Sequence, residues 1–332
     1  MMAAEKEKIV APGQLYEIQP DGRWAFFFDH HLISTFSTCG MKFNYSHVKR
    51  IRRKGMGGFS LMVGAWWSDV MSDIYEAMKS NTLSEDLAHE SAEHHWKKYL
   101  MDKYAIIQPI QYSNFGGRDG AINMTMEYYN QQVPVDRTIW KIVATEAGFG
   151  RRREVFLGES NKVLVFLIGK PDLAVIEMGR LGPVDHKTID RVNSLTQSEY
   201  KPHPQMVGYC IGLEKIAKSL GLDMKVNRCI VNICARSPLP KVNRLGKKKT
   251  RFTRVYPSYT PEEIQEFQIQ KVAQAEELRR SIESNLWIMK DSSCHLFDGC
   301  SYRKVCAVSP SSRQTIIDSS YEKKEPWVPY EI

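Results

Sequence analysis

The stretch from Lys162 to Thr188, KVLVFLIGKPDLAVIEMGRLGPVDHKT, constrains this chain more than any other. Val163 to Ile168 and Leu173 to Ile176 are short, β-branched-rich apolar runs bounded by turn residues, the pattern of buried strands rather than a helix. With a tight turn at Gly169-Lys170-Pro171 and a second break at Gly182-Pro183, the stretch reads as strand, turn, strand, loop, strand. Asp172 and Asp185-His186-Lys187 then fall at strand ends. Taken singly, Asp172 is explained as a turn residue, and Asp185 and Lys187 as solvated residues at a strand edge. Taken together, two carboxylates on adjacent strands can hold a hard divalent cation such as Mg²⁺, with a lysine beside them facing an attacking water.

The flanks carry more of the same chemistry. Upstream, Ile142 to Phe149 (IVATEAGF) places Glu146 at the end of an apolar run, where a surface glutamate closing a strand is the plain alternative. Downstream, Gln205 and Tyr209 are four residues apart and share one helical face, so both can point at the strand ends. Tyr209, Ile211, Leu213 and Ile216 also fit an ordinary amphipathic helix.

Pro171-Asp172, an intervening strand, Asp185-His186-Lys187-Thr188 and then Gln205-x-x-x-Tyr209 resemble the PD-(D/E)xK nuclease superfamily, most closely its RecB-like branch. The resemblance implies an α/β fold with a restriction-endonuclease-like core, a central mixed sheet flanked by helices, carrying a helical insertion and a C-terminal cysteine cluster. It implies that Glu146, Asp172, Asp185 and the backbone carbonyl of His186 bind one or two Mg²⁺ or Mn²⁺ ions. Lys187 would orient or help activate the water, while Gln205 and Tyr209 would steady the site. Single-stranded DNA cleaved from an end is the implied substrate. A structure-specific endonuclease and a non-catalytic DNA-binding or assembly protein are the alternatives. Relatives carry a histidine four residues after a helix glycine; here, counting from Gly64, that position is Ser68, so Glu146 would have to do more of the ligation.

Charge agrees with a polyanionic partner: 46 Lys and Arg against 38 Asp and Glu give a net charge of +8. The densest positive run is Lys49, Arg50, Arg52, Arg53 and Lys54, followed by Gly55, Gly57 and Gly58. A solvated face would account for it; beside a glycine loop in a nuclease it reads as a phosphate-contacting element. Arg151, Arg152 and Arg153, and the loop residues Lys247, Lys248 and Lys249, are the other candidate DNA contacts. No phosphate loop of the form GxxxxGKS or GxxxxGKT occurs, so ATP-driven unwinding would need a separate helicase or recombination partner. The first residues show no secretory signal, and no apolar run approaches the roughly 18 residues of a membrane span. The expected place is the cytoplasm, bacterial or of a phage-infected host.

Seven cysteines in a chain with no export signal argue against a disulfide framework. Cys210, Cys229 and Cys234 lie in apolar runs and read as buried residues. Cys294, Cys300 and Cys306, spaced C-x₅-C-x₅-C, need a fourth thiolate to hold a metal group, and Cys39 has a matching context. One cysteine before the core and three after it resembles the AddB-type iron–sulfur staple, which implies a 4Fe-4S cluster. Structural Zn²⁺ with His295 replacing one thiolate, or three unrelated buried cysteines, are the alternatives.

The expected organisation is one integrated domain: a lead-in (1–29), an N-terminal helical lobe with the first cluster cysteine (30–135), the nuclease core (136–255), a long helix with the iron–sulfur segment (256–310) and a tail (311–332). Within it, a helix capped by Ser34 or Thr35 opens near His30, Gly64 to Lys79 is a strongly amphipathic helix, and Leu83 to Tyr104 continues helical. Asn114 to Gly120 reads as loop. A capped helix starts at Thr260-Pro261 and runs to Met289.

Overall fold

The computed structural model describes residues 15–54, 58–100, 109–149, 155–192, 198–236, 250–295 and 299–324. In chain order the strands are β1 (Tyr16–Ile18), β2 (Trp24–Phe28), β3 (Ile51–Arg53), β4 (Trp140–Thr145), β5 (Val155–Glu159), β6 (Val163–Leu167), β7 (Leu173–Glu177), β8 (Arg180–Ile189), β9 (Ile230–Ala235), β10 (Phe252–Val255) and β11 (Tyr321–Lys323). The longer helices are α1 (His30–Thr38), α2 (Phe59–Lys79), α3 (Glu85–Tyr99), α4 (Pro109–Phe115), α5 (Gly117–Gln131), α6 (Val133–Ile139), α7 (Pro204–Ser219), α8 (Pro261–Ser284) and α9 (Arg313–Ser320). The chain divides into two compact units: Met1–Met56 with Phe149–Gly169 and Glu262–Ile332, and Gly57–Gly148 with Lys170–Pro261.

The second unit is a five-stranded mixed sheet in the order β10-β9-β8-β7-β4, flanked by helices. Only β8 and β9 run parallel, as they must when a crossover helix, α7, joins them. β7 and β8 form a hairpin through Met178 and Gly179, whose positive φ values of 51° and 75° suit the two-residue turn that matches strand twist. The expected break at Gly182-Pro183 is therefore corrected. Both lie inside β8, ahead of the point where pairing with β9 begins at Val184, so the missing proline N–H leaves no ladder bond unmade.

Alternation along β8 sends Val184 and His186 to one face and Asp185 and Lys187 to the other. On the first face lies α2, whose Val63, Trp66, Trp67, Val70, Met71, Ile74 and Tyr75 recur at helical spacing and are all buried. They join Leu173, Val175, Val184 and Ile230 in the main core. α3 follows, with Ser84 Oγ accepting the Leu87 N–H at 3.1 Å as its N-cap. The loop expected over Asn114–Gly120 is instead a break between α4 and α5 at Gly116, where φ is 84°. Ala121, Met124, Thr125 and Tyr128 are buried at helical spacing, so burial overrides the local glycine signal.

In the first unit, the aromatic run Trp24–Phe28 is a strand of a four-stranded sheet ordered β1-β2-β6-β5, and Phe26 and Phe28 are fully buried. Helix α1 starts earlier than expected: Asp29, not Ser34 or Thr35, caps it, its Oδ1 accepting the Leu32 N–H at 2.5 Å. α8 ends at Ser284, short of Met289, with Asn285 at φ 51° closing it. Among the described residues no helix is long and apolar enough to cross a membrane.

Candidate active site

The site lies in the second unit, where β7 begins and β8 continues past it. Leu173 pairs with Val184, and the next rung would set Asp172 against Asp185. Pro171 ends the ladder there. The His186 N–H, left without a backbone partner on that side, donates to Asp172 Oδ2 at 2.6 Å. From α2, Ser68 Oγ donates to the other oxygen, Oδ1, at 3.1 Å. Asp172 is thus held from two sides. Ser68 thus serves as a hydrogen-bond donor to the first aspartate.

Asp185 is 4% exposed. Its Oδ1 accepts from Gln205 Nε2 at 3.2 Å, and the same Nε2 lies 2.8 Å from Tyr209 Oη, so one turn of α7 delivers both side chains. Lys187 Nζ stands 2.9 Å from Asp185 Oδ2, an ion pair; that oxygen otherwise has no aligned hydrogen bond. Burial raises the Asp172 carboxyl above its ordinary range, against the His186 N–H and Lys187. Burial likewise raises Asp185; Lys187 opposes the shift and the Asp172 charge adds to it. Burial works against the Lys187 ammonium, yet Asp185 and then Asp172 prevail and hold its pKa above the usual lysine value. Two desolvated carboxylates thus stand together, with Lys187 paired to Asp185 and both Lys187 and Lys170 offsetting the charge of Asp172.

Glu146 follows β4 in a left-handed conformation, φ 47°, and its N–H donates to the Asp172 carbonyl at 2.7 Å. For a non-glycine residue this conformation is costly and marks a constrained position. Its carboxylate does not join the two aspartates. It accepts from Lys170 Nζ at 2.6 Å and is about half exposed. Among the described residues, no three of His, Cys, Asp and Glu converge closely enough to hold a metal ion by themselves. The two aspartates fit part of an oxygen-donor set for a hard cation, and the remaining ligands would be the His186 carbonyl, water or substrate oxygen.

Sequence reasoning missed Lys170, which lies beside the aspartate it helps to neutralise. It also missed Asn232, a polar residue in the buried strand β9. Asn232 Nδ2 meets the His186 Nδ1 at 3.0 Å and donates to Tyr128 Oη at 2.6 Å. An asparagine inside an apolar strand was the available signal.

The expected DNA contacts are placed unevenly. Arg151, Arg152, Arg153, Lys247, Lys248 and Lys249 lie outside the described residues. The run from Lys49 to Lys54 belongs to the first unit, where β3 pairs with β11. Arg52 pairs with Glu322 at 2.8 Å, Lys54 Nζ donates to the carbonyls of Asp318 and Ser319, and Lys49 Nζ lies 5.6 Å from the centre of the Tyr45 ring. Part of this run is therefore bound into the unit's own C-terminal segment.

Cys39, Cys294, Cys300 and Cys306 also belong to the first unit, all as free thiols. Gly299, at φ 93°, turns the chain so that the Cys300 N–H donates to the Cys294 carbonyl at 3.0 Å. Burial pushes the Cys306 thiol up to about 11, and the charges of Cys300, Cys39 and Cys294 add to the shift. The four sulfurs thus share one electrostatic neighbourhood. Cys210, Cys229 and Cys234 are buried in the second unit, as expected.

The sequence model of the PD-(D/E)XK nuclease superfamily matches residues 31–307, a span that contains every residue of the site just described. The chain belongs to the PD-(D/E)XK nuclease superfamily. No curated protein matches it. The mixed sheet with flanking helices agrees with that fold. Membership implies nuclease activity, hydrolysis of the phosphodiester bonds of DNA, and nucleases of this superfamily typically use Mg²⁺ or Mn²⁺.

Proposed function

We propose that this PD-(D/E)XK protein is a metal-dependent exonuclease acting on single-stranded DNA ends, with Asp172, Asp185 and Lys187 at its reaction centre. The observation that carries the reading is the grouping of two desolvated aspartates with Lys187 at the start of β7, steadied by Ser68, Gln205 and the His186 N–H. Asp172, Asp185 and the His186 carbonyl would hold the ion, and Glu146 would join them on leaving Lys170. Bound there, Mg²⁺ or Mn²⁺ supplies Lewis acidity at the scissile phosphate. Lys187 steadies the attacking water and offsets the negative charge that grows on the phosphate. Gln205 and Tyr209 keep the Asp185 carboxylate in one orientation.

The four cysteines of the first unit would hold a 4Fe-4S cluster. A cluster takes one thiolate on each iron, so its sulfurs stand farther apart than the ligands of one zinc ion. The support from the chain is that Cys39, Cys294 and Cys300 all act on the Cys306 thiol through their charge. The basic runs would give sequence-independent affinity for the DNA backbone. The expected setting is recombination, repair or phage DNA processing in the cytoplasm, with any unwinding supplied by a partner helicase.

The test is cleavage of end-labelled linear single-stranded DNA beside a circular strand, with each metal, by protein purified without oxygen. Cleavage of the linear strand alone supports the exonuclease. Cutting of circles assigns an endonuclease instead, and binding without cleavage by either metal assigns an assembly role. Iron and sulfide content, with visible absorbance lost in Cys39→Ser, separates the cluster from zinc.

A further inference from the structure

Behind the site, on the α2 face of the sheet, lies a buried polar chain that the proposed chemistry does not use. Parallel pairing sets His186 beside Asn232, and the two side chains meet at 3.0 Å, Nδ2 to Nδ1. The Asn232 amide can point only one way. Its Oδ1 accepts from Arg254 Nε at 3.3 Å, so Nδ2 faces both Tyr128 Oη and the imidazole. His186 Nδ1 is therefore an acceptor, and the ring proton sits on Nε2. From Tyr128 the chain continues to Tyr75 Oη at 2.5 Å, then to Asp136 Oδ2 at 2.6 Å, and closes through the Arg254–Asp136 ion pair at 2.5 Å. Asp136 and Tyr75 are fully buried, and the His186 ring stacks on Tyr75 with centroids 5.4 Å apart.

We propose that Asn232 is a positioning residue: by clamping the His186 ring from this network it fixes the His186 peptide, whose N–H holds Asp172 Oδ2 and so sets the aspartate pair for the metal. The inference rests on the nuclease reading above and assigns the site's rigidity to a residue on the opposite face of the sheet. The imidazole is held by the one hydrogen bond from Asn232 and by its stack on Tyr75, its Nε2 having no hydrogen-bond partner among the described residues, and a ring so held limits the rotation of its own backbone. A donor 2.6 Å from a carboxylate oxygen is sensitive to small rotations of its peptide. Removing the clamp frees the imidazole and lets the peptide tilt, so Asp172 loses one of its two holds.

The test compares wild type with Asn232→Ala, Asn232→Ser and Val63→Ala. Val63 is fully buried on α2, outside the site, and its truncation controls for lost stability alone. Mn²⁺ binding is read by the paramagnetic resonance signal of free ion, well below the melting temperature of every variant, together with kcat and KM on linear DNA. The expected result is Mn²⁺ affinity weakened roughly tenfold and kcat lowered in Asn232→Ala, equivalent to about 1.4 kcal/mol. KM for DNA stays unchanged, Asn232→Ser, which keeps one hydroxyl donor, recovers part of the loss, and Val63→Ala binds Mn²⁺ as wild type does. Equal Mn²⁺ affinity in Asn232→Ala and Val63→Ala overturns the positioning role while leaving the nuclease reading intact. A wild type that binds no Mn²⁺ and cuts no DNA overturns both.

Discussion

Ser68 Oγ stands 3.1 Å from Asp172 Oδ1, which ties the middle of α2 to the residue just before β7. The hydroxyl donates to a desolvated carboxylate, and such hydrogen bonds to charged groups contribute roughly 1.5–3 kcal/mol. Ser68→Ala leaves Asp172 held by the His186 N–H alone. The expected outcome is a half-saturating Mn²⁺ concentration raised about tenfold, with a smaller change in melting temperature. Unchanged metal dependence would mean that Ser68 only fills space.

Arg254 and Asp136 make a second prediction, one of stability. Asp136 is fully buried, and Arg254 lies over the Trp140 ring at 4.2 Å as well as against the carboxylate. Breaking a buried pair by removing one partner costs about 3–5 kcal/mol. Arg254→Met is expected to lose that much in chemical denaturation, whereas Arg52→Ala, which breaks an exposed pair with Glu322, loses at most about 1 kcal/mol. Equal losses would contradict this ranking.

Lys271 gives the pH dependence. It is 4% exposed, its Nζ donates to Gln274 Oε1 at 2.7 Å, and it sits 4.9 Å from the centre of the Phe267 ring. Burial lowers its pKa from 10.5 to about 8. Between these values the unfolded chain binds more protons, so this group adds stability as pH rises; below about 8 the full cost of a buried ammonium is present. Lys271→Met removes that cost. The variant is expected to exceed wild type by up to about 3 kcal/mol at pH 7, with the gap closing toward pH 10. A gap that is constant across this range would show that Lys271 does not titrate as its burial requires.

The grouping of Asp172, Asp185, Lys187, Gln205 and Tyr209 was legible because it is written in local order. Pro171-Asp172 leads into one strand, the D-x-K triplet lies on the next, and a four-residue step on α7 carries Gln205 and Tyr209. The geometry behind it was not legible, because it joins residues far apart in sequence: Ser68 to Asp172, and Asn232 to His186 and Tyr128. Glu146 shows the limit differently. Its place at the end of β4 follows from the apolar run before it, but its ion pair with Lys170 depends on two backbone turns that no periodicity encodes. In the fold, α2 was readable from its apolar stripe. The α4–α5 break was not, since Gly116 and Gly117 signal a loop while the burial of Ala121, Met124 and Tyr128 outweighs them.

The Asp172–Asp185–Lys187 cluster is proposed as a metal-dependent nuclease centre. The most direct measurement is Mg²⁺- and Mn²⁺-dependent cleavage of linear single-stranded DNA by wild type and by Asp185→Asn, an isosteric change that removes the charge. The expected result is metal-dependent cleavage by wild type and loss of at least about a thousandfold in the variant, roughly 4 kcal/mol, with the melting temperature maintained. A well-folded Asp185→Asn protein that cuts DNA at the wild-type rate would contradict it.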